Sequence, residues 1–294
     1  MSFEGQGVLA AVTTPLDAAN RVDVALLAQH SADLLRRGLH GITLFGTTGE
    51  GQSFTVAERS AALEGLLGRG IGSGDLVVGA GAAALGDAIS LTRHALAQGC
   101  RRVLLLPPFY FKDVSSAGVV ESIGQVIDAA GDPGLRVILY HIPQVSGVSF
   151  DDQAIATLRQ RYGNVIDGIK DSSGNLDHSL ALIRNHPGLK VYVGAEDTIG
   201  RARAAGGAGS ICGLANIAPE QVRASYDSEQ DTDFGVLKDL LRAVAGQPFV
   251  PLLKAWVAAC QGNDGWRRVR APLMAIDADV KAALPRALLA RTTV

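Results

Sequence analysis

Lys170 is the residue with the most chemistry to offer. It sits at the end of a short apolar run, Val165-Ile166-Asp167-Gly168-Ile169-Lys170-Asp171. As a strand of alternating faces, this run would send Ile166, Gly168 and Lys170 to one side. A buried ammonium is costly unless it is paired or stripped of its proton, and the neutral amine is a nucleophile. The plainer reading is a surface lysine at a strand end, bridged to Asp171 or Asp167. Tyr140 closes a second apolar run, Val137-Ile138-Leu139, with Pro143 just beyond. Its phenol could relay protons, or only pack and hydrogen-bond. Gly46-Thr47-Thr48-Gly49-Glu50 offers hydroxyls and glycine-freed backbone N–H groups. That is a nest for a carboxylate or phosphate, or an ordinary turn with self-capping threonines. Amine, phenol and nest together suit Schiff-base chemistry on a 2-oxo acid. The lysine attacks the keto carbon, the phenol moves protons and the nest holds the carboxylate. The covalent link is an imine on Lys170, and no metal or redox cofactor is required.

These groups meet only if the right elements carry them. Gly7 to Thr13 reads as a strand stopped by Thr14-Pro15, and Asp23 as the N-cap of a helix from Val24 to Arg37 that ends at Gly38. Gly41 to Phe45 is the next strand, and Thr55 with Glu58 forms a capping box. The alternation continues with strands at Leu76–Ala80, Arg102–Leu106, Arg136–Tyr140, Asn164–Ile169, Leu189–Val193 and Gly209–Cys212, each followed by a helix. Eight such units suggest an α/β fold, a closed (β/α)8 TIM barrel over residues 1–227, because an open sheet of that size would leave two edges to protect. Residues 228–294 break the pattern. Phe234–Ala245, Phe249–Cys260 and Val280–Leu289 read as a C-terminal three-helix extension packed on the barrel, with no flexible linker before it. No βα turn carries GxGxxG, so dinucleotide binding has no support.

Composition narrows the class. Hydrophobic residues make up 47% and charged residues 19%, enough apolar material for a sizeable core. A net charge of -2 provides no general attraction for nucleic acid or an anionic membrane. Cys100, Cys212 and Cys260 are widely spaced and form neither a disulfide framework nor a zinc pattern. With no secretory signal and no span of bilayer length, the expectation is a cytoplasmic protein.

Gly46-Thr47-Thr48-Gly49-Glu50, Leu139-Tyr140-His141-Ile142-Pro143 and Gly168-Ile169-Lys170-Asp171 resemble, in order and spacing, the signatures of the dihydrodipicolinate synthase/N-acetylneuraminate lyase superfamily. The resemblance extends to Pro108-Phe109-Tyr110 and Gly207-Ala208-Gly209-Ser210-Ile211. It implies a class I, pyruvate-dependent aldolase or lyase with Lys170 as Schiff-base lysine and Tyr140 as central proton relay. It also implies that Thr47 and Thr48 bind the pyruvoyl carboxylate, with Thr47 also in the relay and Gly46 among the substrate-binding residues. Tyr110 would be lent across a subunit contact to complete that relay, implying a homo-oligomer, dimer or tetramer. Ile211 would line the pocket.

Departures from the family pattern bear on the substrate. Dihydrodipicolinate synthases carry an arginine two residues beyond the proline, where this chain has Val145. An aliphatic side chain cannot supply the bidentate carboxylate contact of a guanidinium. Ile142-Pro143-x-x-Ser146-Gly147 and Gly194-Ala195-Glu196-Asp197 look more like the sugar-acid lyases, whose acidic side chains accept from substrate hydroxyls. Glu196 and Asp197 can equally complement a helix dipole. Gly213 falls where sialic-acid enzymes have a polar side chain. His141 replaces a common asparagine, either touching substrate or satisfied outside the strand end. The expected partners are pyruvate, or another 2-oxo acid, and an aldehyde. Dihydrodipicolinate synthase, a 2-keto-3-deoxy sugar acid dehydratase and a non-catalytic 2-oxo-acid sensor remain alternatives.

Overall fold

The computed structural model describes residues 3–228 and 235–276, together with Val280, Leu284 and Leu288. Its centre is a closed barrel of eight parallel strands in sequential order. These are β1 (Gly7–Ala11), β2 (Gly41–Leu44), β3 (Leu76–Gly79), β4 (Arg102–Leu105), β5 (Arg136–His141), β6 (Ile166–Asp171), β7 (Lys190–Val193) and β8 (Gly209–Cys212). The surrounding helices are α1 (Val24–Arg36), α2 (Val56–Leu67), α3 (Leu85–Ala97), α4 (Ser116–Ala130), the single turn α5 (Pro143–Ser146), α6 (Asp152–Tyr162), α7 (Leu176–Asn185), α8 (Ile199–Ala204) and α9 (Pro219–Asp227). Two more follow the barrel, α10 (Gly235–Val244) and α11 (Phe249–Gln261). The third expected C-terminal helix, Val280–Leu289, lies largely outside the described residues. Among the described residues no helix is long and apolar enough to cross a membrane.

The caps anticipated from sequence are present. Asp23 accepts from Leu26 N–H, and Thr55 and Glu58 close their capping box. Each supplies an orphan N–H at a helix start with a partner, typically worth about 1 kcal/mol. Alternation along the strands sorts their side chains into two layers. Leu9, Val77, Leu104, Ile138, Tyr140, Tyr192 and Ile211 fill the barrel interior. Val8, Ile42, Leu44, Val103, Val137, Ile169 and Val191 face the helices. Tyr192 reaches down the barrel to donate to Gly5 O at 2.7 Å, and Phe3 lies beside its ring. The lower barrel interior is thereby filled, and the strands' carboxyl ends form the mouth.

Strand β6 departs from the expectation in two ways. It starts at Ile166, because residues 163–165 form a 3-10 turn, and it runs on through Lys170 to Asp171. It also does not keep one phase. Val137 pairs with Ile166, but Ile138 pairs with Gly168, so Asp167 is one residue too many on β6. Such a bulge reverses the faces. Ile166 points to the helix layer, whereas Gly168 and Lys170 point inward, so the three do not share a side.

Helix α11 is bolted to the barrel by charge as well as by apolar packing. Leu253, Trp256 and Val257 are buried, and the fully buried Lys254 donates to Glu50 Oε1 at 2.6 Å and to Thr14 O at 2.8 Å. Burial lowers the Lys254 pKa, against the pull of Glu50. The other Glu50 oxygen accepts from Arg270 N–H at 3.0 Å. The Arg270 guanidinium pairs in turn with Glu58 on α2 at 2.5 Å. His30 of α1 sits beneath this layer in a fixed tautomer. Its Nε2–H donates to Asn216 Oδ1 at 3.1 Å, and its Nδ1 accepts from the Gln261 amide at 2.8 Å.

Candidate active site

β5 and β6 are paired so that Tyr140 stands opposite Lys170. Both are 3% exposed, and the Lys170 Nζ lies 4.3 Å from the centre of the Tyr140 ring. The two carboxylates next to Lys170 in sequence are engaged elsewhere. Asp167, at the floor, holds Lys190 at 2.8 Å and Arg102 at 3.5 Å. Asp171 points outward and accepts from Ser179 at 2.6 Å, His178 at 2.9 Å and Ser173 N–H at 3.0 Å. Among the described residues Lys170 therefore has no ion-pair partner, and the surface-bridge reading is set aside. Below the lysine, Gly168 leaves room for Tyr192: a Cβ there would sit 2.5 Å from Lys190 O and 3.1 Å from the Tyr192 ring.

The Tyr140 phenol and the Thr47 hydroxyl are 3.1 Å apart, a hydrogen bond in which either can donate. Thr47 comes from the turn after β2, whose shape is forced by its backbone. Phe45 and Glu50 both adopt left-handed conformations, with φ of 52° and 54°. A Cβ on Gly51 would fall 2.0 Å from Phe45 O, so only glycine closes this turn. Glu50 N–H and Gly51 N–H are spent on Thr47 O and Gly46 O. The N–H groups of Thr47, Thr48 and Gly49 donate to nothing among the described residues, leaving successive donors for an anion.

The remaining sequence-derived residues divide. Thr48 is buried, Gly46 is half-buried, and Ile211 is fully buried in the barrel interior. Gly194 donates its N–H to Asp171 O at 2.8 Å. Glu196 is buried and accepts from Leu214 N–H at 2.8 Å; burial raises its carboxyl above the ordinary range. It anchors the β7 loop to the β8 loop, whereas Asp197 is exposed and available. Tyr110 is 73% exposed at the tip of the β4–α4 loop, packed edge-on against the equally exposed Phe111 at 5.3 Å. Within this chain it makes no hydrogen bond to Thr47 or Tyr140 among the described residues. Val145 is 60% exposed on α5.

His141, Asp171 and His178 lie close enough together to hold a metal ion by distance alone. Their hydrogen bonds argue against it. His141 Nδ1 accepts from Phe150 N–H at 3.2 Å, which puts its proton on Nε2, and Asp171 already takes three donors. The two rings stack at 4.6 Å, and burial, reinforced by His178, lowers the His141 pKa. Burial would raise the Asp171 pKa, but its donors prevail and hold it below the usual carboxylate range. His141 thus lies outside the strand end, its Nδ1 engaged by the backbone and its ring stacked on His178. Sequence reasoning did not single out Asn216, whose amide donates to Ala11 O and Gly213 O and whose carbonyl accepts from Thr13 N–H, tying β1 to the β8 loop. Its partners Ala11 and Thr13 are 205 and 203 residues away, and no local signal marks it.

The fold and site define a class: a parallel barrel with an unpaired buried lysine, a phenol–hydroxyl couple and an anion nest at its mouth. The chain belongs to the dihydrodipicolinate synthetase family, whose model matches residues 4–291. It is 34% identical, over 99% of both chains, to an uncharacterized DapA-like lyase of Chloroflexus aurantiacus. It is 29% identical to a 4-hydroxy-tetrahydrodipicolinate synthase of Methanosphaerula palustris, over 96% of this chain and 98% of that one. The crystal structure of dihydrodipicolinate synthase from Agrobacterium tumefaciens superposes with a TM-score of 0.90 at 34% identity, over 96% of this chain and 99% of that one. The protein is an enzyme, a class I lyase of this family.

Proposed function

We propose that the protein forms a Schiff base between Lys170 and a 2-oxo acid and cleaves or builds a hydroxylated 2-oxo acid, with pyruvate as the fragment held on the enzyme. The observation that carries this reading is Lys170 itself, buried and without a carboxylate, in contact with Tyr140, whose oxygen couples to Thr47. The neutral amine adds to the keto carbon, and loss of water gives the iminium. In the cleavage direction the Tyr140 oxygen takes the proton of the C4 hydroxyl and the C3–C4 bond breaks. The electron pair moves into the iminium to give an enamine, and the aldehyde leaves. Protonation of the enamine at C3 and hydrolysis return the lysine and release pyruvate. The free N–H groups of Thr47, Thr48 and Gly49 hold the carboxylate throughout, and the sequence of steps needs no added cofactor.

The rim favours a hydroxylated partner over aspartate semialdehyde. Val145 stands exposed where a carboxylate-binding guanidinium would be needed, and Asp197 offers an acceptor for hydroxyls. The exposed Tyr110 supports a homo-oligomer, dimer or tetramer, in which each copy completes its neighbour's relay.

Borohydride reduction in the presence of pyruvate, followed by peptide mass spectrometry, tests the core of the reading. A pyruvyl adduct confined to Lys170 is expected, and Lys170→Ala should neither trap nor turn over. A folded protein that traps nothing, or a Lys170→Ala variant with full turnover, would sink the mechanism. Product analysis then separates a lyase, giving pyruvate plus aldehyde, from a dehydratase, which loses water only.

A further inference from the structure

We infer that the floor of the barrel, the face opposite Lys170, carries a second binding site, one for a small hydroxylated dianion (a phosphate monoester or a dicarboxylate). A cavity of 580 Å³ opens there between the starts of β5, β6 and β7 and the end of α6. That falls within the roughly 300–1,000 Å³ range of small-molecule sites. Its walls carry Arg136, Arg159 and Lys190 against the single carboxylate of Asp167, which leaves the lining two charges positive in a chain whose net charge is -2.

The charges are not balanced within the fold. Asp167 is shared between Lys190 at 2.8 Å and Arg102 at 3.5 Å. The Arg136 guanidinium donates only to the backbone, to Pro133 O at 3.0 Å and Leu135 O at 2.8 Å. Arg159 likewise donates to Pro187 O at 2.8 Å. Neither arginine has a carboxylate at ion-pairing distance among the described residues. The carbonyls therefore orient two half-buried forks whose charge remains free, the arrangement that grips phosphate or carboxylate oxygens in pairs. A bare anion would fill only part of the space. Beside Ile166, Gly163 and Gly188, Gln160 and Asn164 add side-chain amides to the wall, hydrogen-bonding groups suited to a hydroxylated body.

The test is calorimetric titration of the full chain with glucose 6-phosphate, tartrate and inorganic phosphate as probes, in wild type and in an Arg136→Gln, Arg159→Gln variant whose folding is checked by circular dichroism. Saturable binding of glucose 6-phosphate or tartrate that weakens at least about tenfold in the variant is expected. The single Arg159→Gln variant should show part of that loss, should the double variant not fold. Stronger binding of glucose 6-phosphate assigns a phosphate monoester, and stronger binding of tartrate a dicarboxylate. Equal affinity in wild type and variants overturns the site, as does the absence of saturation with all three probes. Binding that pyruvate displaces overturns it too, because the anion would then sit in the mouth. Inorganic phosphate binding as tightly as glucose 6-phosphate would overturn the hydroxylated body.

Discussion

Two side chains at the mouth are coupled through one hydrogen bond, and their roles differ in weight. Tyr140 touches both the lysine and Thr47, so Tyr140→Phe removes the proton carrier while sparing the ring packed on Lys170. A fall in kcat of about 10²–10⁴-fold is expected, the range for loss of a general acid–base group. Thr47→Val should lower kcat by a smaller factor, since it removes only the partner of the phenol. Steady-state kinetics on both variants checks the order; a Tyr140→Phe enzyme within a few-fold of wild type would exclude the phenol from proton transfer. Lys170 and Tyr140 were legible in the sequence because each terminates an apolar run with a group such a run should not end on. The outward hydrogen bonds of Asp171 were not, because His178 and Ser179 lie on the next helix and nothing in their type distinguishes a surface polar residue from a partner.

At the scale of elements, the turn that offers the nest is also the turn that α11 grips. Glu50 and Lys254 form a pair with no exposure, and the same carboxylate receives the chain at Arg270. Removing one partner leaves a buried charge unmatched, so Lys254→Met or Glu50→Gln should destabilise the protein by about 3–5 kcal/mol. The double variant should be less affected than the sum of the two, because the pair is lost only once. Urea unfolding of the three proteins measures this, and strict additivity would disprove the coupling. The barrel and its caps were legible because hydrophobic periodicity and N-cap chemistry are local. The Glu50–Lys254 tie was not, since its ends are 204 residues apart, although a lysine within the apolar segment Phe249–Gln261 is an anomaly that a partner must explain.

For the molecule as a whole, the network under α11 sets a lower limit on the pH range of stability. Burial depresses the His30 pKa from 6.5 to about 4, with Asn216 and Asp33 only partly opposing it. Above pH 6.5 the ring is neutral in both folded and unfolded chains and its contribution is intact. Between pH 6.5 and about 4 only the unfolded chain takes the proton, so stability falls, by up to about 3 kcal/mol at the lower end. His30→Gln should flatten this part of the pH profile of urea midpoints. An unchanged slope would place the acid sensitivity elsewhere. Assembly has its own test. If Tyr110 acts across subunits, mixing inactive Lys170→Ala and weakened Tyr110→Phe proteins under exchange conditions should restore activity, because hybrid oligomers contain one complete site. No gain on demonstrated exchange would confine each site to its own chain.

The supernumerary Asp167 separates the register of β6 at the floor from its register at the mouth. Deleting it would restore plain alternation, with Ile166 outward and Gly168 inward, and would leave Tyr140 facing Lys170. Only the carboxylate shared by Lys190 and Arg102 would be lost. The register at the mouth is therefore independent of whether the floor carries this residue. Loss of Asp167 is thus a change at the floor, three positions ahead of the lysine, that leaves the pairing at the other end of the strand as it is.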